Sequence, residues 1–515
     1  MRNRLHKNTG EKGDTLVHNE LIHDLLDEAL AEYPDSTAIR DSVGHWTYRR
    51  LAQMSHAFAR WLRVQGVSPG ERVLTQLPSR RELCAMLYGA SRAGVVLVPL
   101  NPAMKEFHLT SVLANAEPAL VVAPSAAVDT LAGLTGVPVH AVEDVWLEVE
   151  RLTGDTEVPL DPGIGPDDIA ALVYTSGSTA APKAVVCPHR QMAFASRSIN
   201  AVLGYRPDDV VFCRFPLSWD YGLYKILLAC LGRSELVLAG EESDLVLLRR
   251  MRETGATIVP IVPSLATMIA TLASRDDGPP APVRMFTNTG AALPETTIAM
   301  LREAFPGVRV VRQFGQTECK RISIMPVDED TERPGSVGKP LPGTVVLLLD
   351  QDGNPVPQGE AGEIVAVGPH VMPGYWRAPE ISVHTFQRDA RTGERRLHTG
   401  DYGSFDADGY LYFHGRRDDM FKRKGIRMST IEIEAAAMDI PGVRAAAVLP
   451  PSEGRDLVVF VESDLAGHVV LKELATRLEP AKVPAACRVV DELPLTQHGK
   501  NARQVLAALF GRPGE

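Results

Sequence analysis

Leu172-Val-Tyr-Thr-Ser-Gly-Ser-Thr-Ala-Ala-Pro-Lys-Ala-Val-Val186 is the stretch from which the fold can be read. The apolar run 169–174 has the composition of a buried strand. It breaks into Thr175, Ser176, Gly177, Ser178 and Thr179, then Ala180, Ala181, Pro182 and Lys183. Four hydroxyls, one glycine and one lysine within nine residues make a donor-rich loop. Backbone N–H groups and hydroxyls of this kind can wrap phosphate oxygens while Lys183 adds positive charge. No glycine directly precedes the lysine and no Ser or Thr follows it, which excludes a P-loop. Taken alone, the same residues also describe a Ser/Thr-rich surface turn.

Outward from this loop, a chain of 515 residues exceeds one core, so two or more domains are expected. Hydrophobic residues at 45% and charged ones at 23% are ordinary for a globular protein. A net charge of −10 argues against nucleic acid as the main partner. Six cysteines (84, 187, 213, 230, 319, 487) show no CxxC or Cys/His ligand spacing and read as reduced, buried thiols of a cytoplasmic protein. Residues 1–14 are polar without an apolar core, a disordered tail and not a signal peptide. The longest apolar runs are too short to cross a bilayer, so no membrane contact is expected.

Before the loop, helical spacing at 21–30, 46–65 and 82–93 alternates with apolar strand patterns at 72–76, 94–99 and 118–123. After it, helices at 190–203, 216–231, 244–254 and 264–273 alternate with strands at 210–215, 236–238, 257–262 and 308–312. This alternation predicts α/β layers with buried parallel sheets. From 343 to 414 the pattern changes to short strands (343–349, 363–367, 396–398, 403–405, 410–414) joined by turns such as Asp352-Gly353 and Asp408-Gly409. That predicts an antiparallel, β-barrel-like subdomain. Residues 416–515 hold a helix at 429–438, strands at 444–449 and 456–461 and a helix at 470–478, enough for a small α+β domain. The expected division is a tail (1–14), a large core (15–415) and a small C-terminal unit (416–515).

The phosphate-type loop resembles the signature of the adenylate-forming superfamily, which holds acyl-CoA synthetases, adenylation domains of peptide synthetases and luciferases. The usual form carries glycine where this chain has Ala180 and Ala184, so a less mobile loop is expected, since alanine lacks glycine's backbone freedom. Further motifs follow in the family's order. Gln313-Phe314-Gly315-Gln316-Thr317-Glu318 resembles its aromatic-Gly-x-Thr-Glu segment. The resemblance implies that Glu318 ligates Mg²⁺, Thr317 binds phosphate or AMP and Phe314 stacks on adenine. Gly290, Ala291 and Ala292 resemble the other wall of the adenine site. His398-Thr399-Gly400-Asp401 resembles the ribose motif, with Asp401 accepting the ribose hydroxyls. Gly415-Arg416-Arg417-Asp418 resembles the hinge, with Arg416 on ribose or phosphate and Asp418 as pivot. Gly425 lies where the family lines a phosphopantetheine tunnel. Gly499-Lys500 resembles the C-terminal motif whose lysine reaches the carboxylate and α-phosphate; a long-stemmed point charge suits that task. By this resemblance the fold is that of the adenylating enzymes: a large N-terminal domain, a barrel subdomain and a small mobile lid. Lys183, Thr317, Glu318 and Lys500 are the expected catalytic residues, with ATP and Mg²⁺ required.

The segment Phe215-Pro-Leu-Ser-Trp-Asp-Tyr-Gly-Leu223 sits where the family forms its acyl pocket. A carboxylate among aromatic residues is costly unless it meets a cation. An ammonium on the substrate is one such partner, so Asp220 points to an amino acid; the alternative is a helix cap. Trp219, Gly222, Leu223, Thr289, Gly290 and Arg321 are expected around the substrate. Arg321 can pair with a second substrate carboxylate, as in an aspartate-like amino acid, or with a protein carboxylate. The arrangement looks like stand-alone amino-acid adenylating enzymes, notably the β-amino-acid activators of macrolactam polyketide pathways. The expected function is adenylation of a β-amino or small amino acid, then transfer to a separate acyl carrier protein, with Arg417, Lys422, Arg423 and Lys424 steering an acidic carrier. The alternatives are an acyl-CoA or aryl-CoA synthetase using CoA, and a non-catalytic nucleotide binder supported only by Ala180 and Ala184.

Overall fold

The computed structural model describes residues 20–154, 163–175, 182–240, 243–389, 391–416, 420–423, 426–452, 455–478, 480, 482–494 and 503–510. Ser176, Gly177, Ser178, Thr179, Ala180, Asp418, Gly425 and Lys500 lie outside them.

Two mainly parallel sheets organise the large region. In one, six strands run in the order Val139–Ala141, Leu120–Ala123, Arg72–Gln76, Val96–Leu100, Ile169–Thr175 and Lys183–Pro188. The crossovers are helical, as parallel pairing requires. Helix Arg81–Ala93, for example, returns the chain from Arg72–Gln76 to its parallel neighbour Val96–Leu100. The last pair is antiparallel, with Thr175 opposite Lys183.

The other sheet has nine strands. Four parallel ones, Val210–Cys213, Ile258–Ile261, Met285–Asn288 and Arg309–Phe314, lie side by side. Their carboxyl ends share one edge, where α/β proteins collect ligand-binding loops. The loops leaving that edge carry Asp220, Thr289-Gly290 and the 314–321 segment. Apolar strands flanked by amphipathic helices bury the core of Tyr48, Phe58, Trp61, Tyr88 and Leu227.

The antiparallel region is a five-stranded sheet built on Val345–Leu349, Gly362–Val367, Phe386–Arg388, Arg395–Phe405 and Leu411–Arg416. Its strands pair antiparallel throughout, as expected, along an open path among the described residues. The two strands expected at 396–398 and 403–405 are one strand of 11 residues, Arg395–Phe405, in which Gly400 adopts φ +69°. C-terminal to these, three strands (Val443–Leu449, Val458–Ser463, Ala486–Val490) pack with helices Thr430–Met438 and Gly467–Arg477 around Ile433, Val448, Val459 and Leu474. That separate apolar core is what a small domain needs. Among the described residues no helix is long and apolar enough to cross a membrane.

Candidate functional site

Lys183 opens the strand Lys183–Pro188, which pairs back along Ile169–Thr175. Its ammonium lies 5.7 Å from the centre of the Tyr375 ring, within cation–π range. Ala184 follows it and is buried in the sheet; its carbonyl accepts a 2.8 Å bond from Trp376 N–H. Residues 374–376 thus add to this strand as a third line of backbone pairing, with Val186 N–H bonded to Gly374 O (3.0 Å) and a bridge between Val185 and Tyr375. From there the Tyr375 hydroxyl donates to Glu318 Oε1 at 2.7 Å. Burial pushes the Glu318 carboxyl above its usual range, and the tyrosine hydroxyl offsets part of that.

Glu318 belongs to a loop that doubles back on itself. Strand Arg309–Phe314 ends, and Ile322 N–H returns to Phe314 O at 2.9 Å. A Cβ on Gly315 would stand 2.6 Å from Arg321 Cα, so only glycine fits that crossing. Phe314 packs on Phe413, with ring centres 5.1 Å apart. Buried amide atoms Asn288 Oδ1, Gln313 Nε2 and Gln316 Nε2 have no partner among the described residues. Unfilled hydrogen-bonding capacity in a buried loop is what a polar ligand would use. Gly290 (φ +88°) and Ala291 are exposed at the adjoining strand end, and Thr289 is buried beside them. Asp401 and Arg416 face each other on neighbouring strands, with Arg416 Nε 3.2 Å from Asp401 Oδ1. The Asp401 side chain is buried and the Arg416 side chain mostly open.

The acyl-pocket segment forms helix Asp220–Gly232, which Trp219 caps without a side-chain hydrogen bond. Asp220 is the first helical residue, not the cap. Its carboxylate accepts from Lys320 Nζ at 3.0 Å, and its carbonyl accepts from the same ammonium at 2.6 Å. Burial would raise the Asp220 carboxyl, but Lys320, with Arg321 nearby, outweighs this and holds it below the usual range. Burial likewise pushes the Lys320 ammonium down to about 7 against the pull of Asp220. Lys320 adopts φ +67°, a strained conformation for a side-chain-bearing residue. Arg321 donates to Gln313 Oε1 (2.8 Å) and Lys320 O (2.6 Å) and meets no ion-pairing carboxylate among the described residues. A third basic side chain, Lys225, is buried with the Tyr205 hydroxyl as its hydrogen-bond partner at 3.3 Å among the described residues, and burial pushes its ammonium well below the usual lysine range. The Tyr221 ring touches all three, at 4.5 Å (Lys225), 5.1 Å (Arg321) and 5.6 Å (Lys320).

Two of the expected substrate contacts are explained by packing. Leu223 is fully buried in the core. Gly222 is required because a Cβ there would lie 2.2 Å from Pro216 O. Arg423, expected to steer a carrier, is committed to Asp456 at 2.8 and 3.0 Å. Lys320 and Tyr375 were missed by sequence reasoning. The signal for Lys320 was its place between Glu318 and Arg321; for Tyr375 there was none but its aromatic neighbourhood. Among the described residues no three His, Cys, Asp or Glu side chains converge on a metal position. A single hard carboxylate such as Glu318 still fits Mg²⁺, which keeps most of its shell as water and substrate phosphate.

The AMP-binding enzyme family matches residues 26–376, and the AMP-binding enzyme C-terminal domain matches 432–500. The chain is 32% identical to the sulfoacetate–CoA ligase of Cupriavidus necator over 93% of its own length and 96% of the relative's. It is 29% identical to an L-proline–[L-prolyl-carrier protein] ligase of Pseudomonas fluorescens, covering 95% of this chain and 99% of that one. Phosphinothricin tripeptide synthetase PhsC of Streptomyces viridochromogenes matches at 29% over 97% of this chain, which spans only 46% of that protein. Among solved structures, VinN is 54% identical over 77% of this chain and 98% of its own (TM-score 0.72), and its complex with L-aspartate matches at 52% over 77% of this chain and 100% of its own (TM-score 0.71). ATP-bound MatB from Rhodopseudomonas palustris is 27% identical over 96% of this chain and 99% of its own, at TM-score 0.85. The chain belongs to the AMP-binding enzyme family.

Proposed function

We propose that the chain activates an amino acid bearing a second carboxylate, aspartate-like in charge, as its aminoacyl-AMP, and then loads it onto the phosphopantetheine thiol of a separate acyl carrier protein. The observation that carries this is the charge count at the substrate pocket. Arg321, whose guanidinium keeps its charge, is buried against the Tyr221 ring with no carboxylate in ion-pairing reach among the described residues, while Asp220 is paired with Lys320 and burial drives the Lys225 ammonium well down. Uncompensated buried cations are unfavourable, so an anionic substrate group completes the site. Asp220 in turn keeps 22% of its side chain exposed while Lys320 keeps 2%, which leaves a carboxylate edge open to a substrate ammonium. VinN, crystallised with L-aspartate, supports the same class of substrate.

In the reaction, a substrate carboxylate oxygen attacks the α-phosphorus of ATP, the bond to the β-phosphate breaks and pyrophosphate leaves. The thiol sulfur then attacks the acyl carbon and AMP leaves. On this reading the 175–179 loop and Lys183 hold phosphate, Thr317 binds the nucleotide and Phe314, Gly290 and Ala291 enclose adenine. Asp401 and Arg416 take the ribose, and Lys500 neutralises charge at the α-phosphate. Glu318 would hold Mg²⁺, which would neutralise phosphate charge. Residues 416–515 would turn at Asp418 to bring Gly425 and the thiol to the acyl-AMP. A cytoplasmic location suits the buried free thiols.

The test is pyrophosphate release with ATP and Mg²⁺ across α-amino, β-amino, dicarboxylic and plain carboxylic acids. Turnover confined to amino dicarboxylic acids is the expected result; turnover with plain acids overturns it. The similarity to sulfoacetate–CoA ligase favours a second reading in which CoA is the acceptor. Supplying CoA or a phosphopantetheinylated carrier protein as the only thiol separates the two.

A further inference from the structure

We propose that Tyr375 is a positioning residue of the nucleotide site, setting the Glu318 carboxylate and the strand that Lys183 opens with one side chain. The inference rests on the reading of Glu318 as the Mg²⁺-binding residue. Four independent contacts fix where Tyr375 stands. Its backbone bridges to Val185 in that strand. Its N–H donates to Ser382 Oγ at 2.9 Å. Its ring packs edge-on against Phe386 with centres 5.2 Å apart. Its hydroxyl donates to Glu318 Oε1 at 2.7 Å.

The Glu318 backbone is held from the same segment, since Met372 N–H donates to Glu318 O at 2.9 Å. Residues 372–376 therefore grip Glu318 at both main chain and side chain, and they pair with the strand that begins at Lys183. The Lys183 ammonium over the Tyr375 ring completes the link. Two groups that must meet one triphosphate, a cation and a metal-binding carboxylate, come from different sheets and are 135 residues apart in the chain. Tyr375 is the piece that gives them a common reference. The Glu318 carboxylate takes the Tyr375 hydroxyl and the N–H of its own residue, two donors that orient it as partners of a metal ligand do.

The test compares wild type with Tyr375→Phe, which keeps the ring and the backbone bridge and removes the hydroxyl. Binding of Mn²⁺ is read directly by electron paramagnetic resonance with α,β-methylene-ATP present, beside the Mg²⁺ dependence of pyrophosphate release. Outer-shell partners of metal ligands typically change affinity about 10–100-fold. The expected result is Mn²⁺ affinity and Mg²⁺ half-saturation both weakened about tenfold or more, with the KM for the acid unchanged. Glu318→Gln is measured in parallel, alone and combined with Tyr375→Phe. If the hydroxyl acts through Glu318, its effect disappears in the Glu318→Gln background. Wild-type Mn²⁺ affinity in Tyr375→Phe with loss in Glu318→Gln overturns the positioning role alone. Wild-type affinity in Glu318→Gln overturns the reading of Glu318, and the inference with it. Tyr375→Leu, which also removes the ring, is expected to weaken metal-free ATP binding in addition; equal ATP affinity in the Phe and Leu variants overturns the Lys183 half of the proposal.

Discussion

Lys320 Nζ lies 3.0 Å from Asp220 Oδ2, across 100 residues of sequence, and 4.4 Å from the centre of the Tyr224 ring. The pair joins the helix of the acyl-pocket segment to the loop that carries Glu318. On the proposed function, a substrate seated on Asp220 would be registered against the loop of Glu318 through this ion pair.

Replacing Asp220 by Asn should lower kcat/KM for amino-bearing acids about 10–100-fold, because a charged hydrogen-bond partner contributes about 1.5–3 kcal/mol. Breaking a buried ion pair costs about 3–5 kcal/mol when the remaining charge is trapped. Here the Lys320 amine, held near about 7, can shed its proton, so a smaller loss of stability is expected. Thermal melting beside pyrophosphate release across the acid panel separates the two effects. Equal loss for plain and amino-bearing acids would make Asp220 structural only.

Arg321 tests the second carboxylate. Arg321→Met should reduce kcat/KM for aspartate-like substrates about 100-fold while leaving amino acids with one carboxylate within severalfold, since a bidentate guanidinium–carboxylate pair is lost only with the former. Uniform loss across both classes would return Arg321 to the role of bracing Gln313.

Gly222→Ala should fail through backbone geometry. The new Cβ would fall 2.2 Å from Pro216 O, a clash with main chain that no rotamer relieves. Overpacking of this kind costs about 1–3 kcal/mol and occasionally more, so a lowered melting temperature together with displaced Asp220 and lost activity is expected. Wild-type melting would mean that the 216–219 turn yields freely.

The fold was legible where pattern is local. Apolar strand runs followed by amphipathic helices announced the parallel sheets, and the order of short motifs placed Asp401 and Arg416, which are 15 residues apart and pair on adjacent strands. Helices Glu106–Ala116 and Val142–Arg151 were not read, nor was the continuity of Arg395–Phe405 through Gly400. The site was legible only in part, because its decisive contacts are non-local. Nothing near Asp220 shows that its cation is Lys320, and the φ of +67° that aims this lysine arises from the doubled-back loop around Gly315. Tyr375 reaches Glu318 across 57 residues by adding to a strand edge, which no side-chain pattern encodes. Trp219, not Asp220, holds the cap position because the 216–219 turn feeds the helix one residue earlier than the polar residue.

Three enclosed histidines should set the acid limit of stability. Burial lowers His23 to about 2, His189 to about 4 and His370 to about 3, from an ordinary value of 6.5. Each is neutral in the fold and binds a proton more readily when unfolded. Their contribution to stability is therefore whole above about pH 6.5 and is lost as pH falls toward the folded values, by up to about 1.4 kcal/mol per unit for each histidine. Melting temperature should drop steeply between pH 6.5 and 4.5. His370 isolates the effect, since neither ring nitrogen has a partner among the described residues and the ring is fully buried near Phe194. An unsatisfied buried polar group costs about 1–3 kcal/mol. His370→Leu should therefore melt at or above the wild-type temperature at pH 7 and show a shallower acid slope. A variant with the wild-type slope would show that His370 takes up its proton without unfolding the chain, through a local opening of the 368–372 segment beside Glu318.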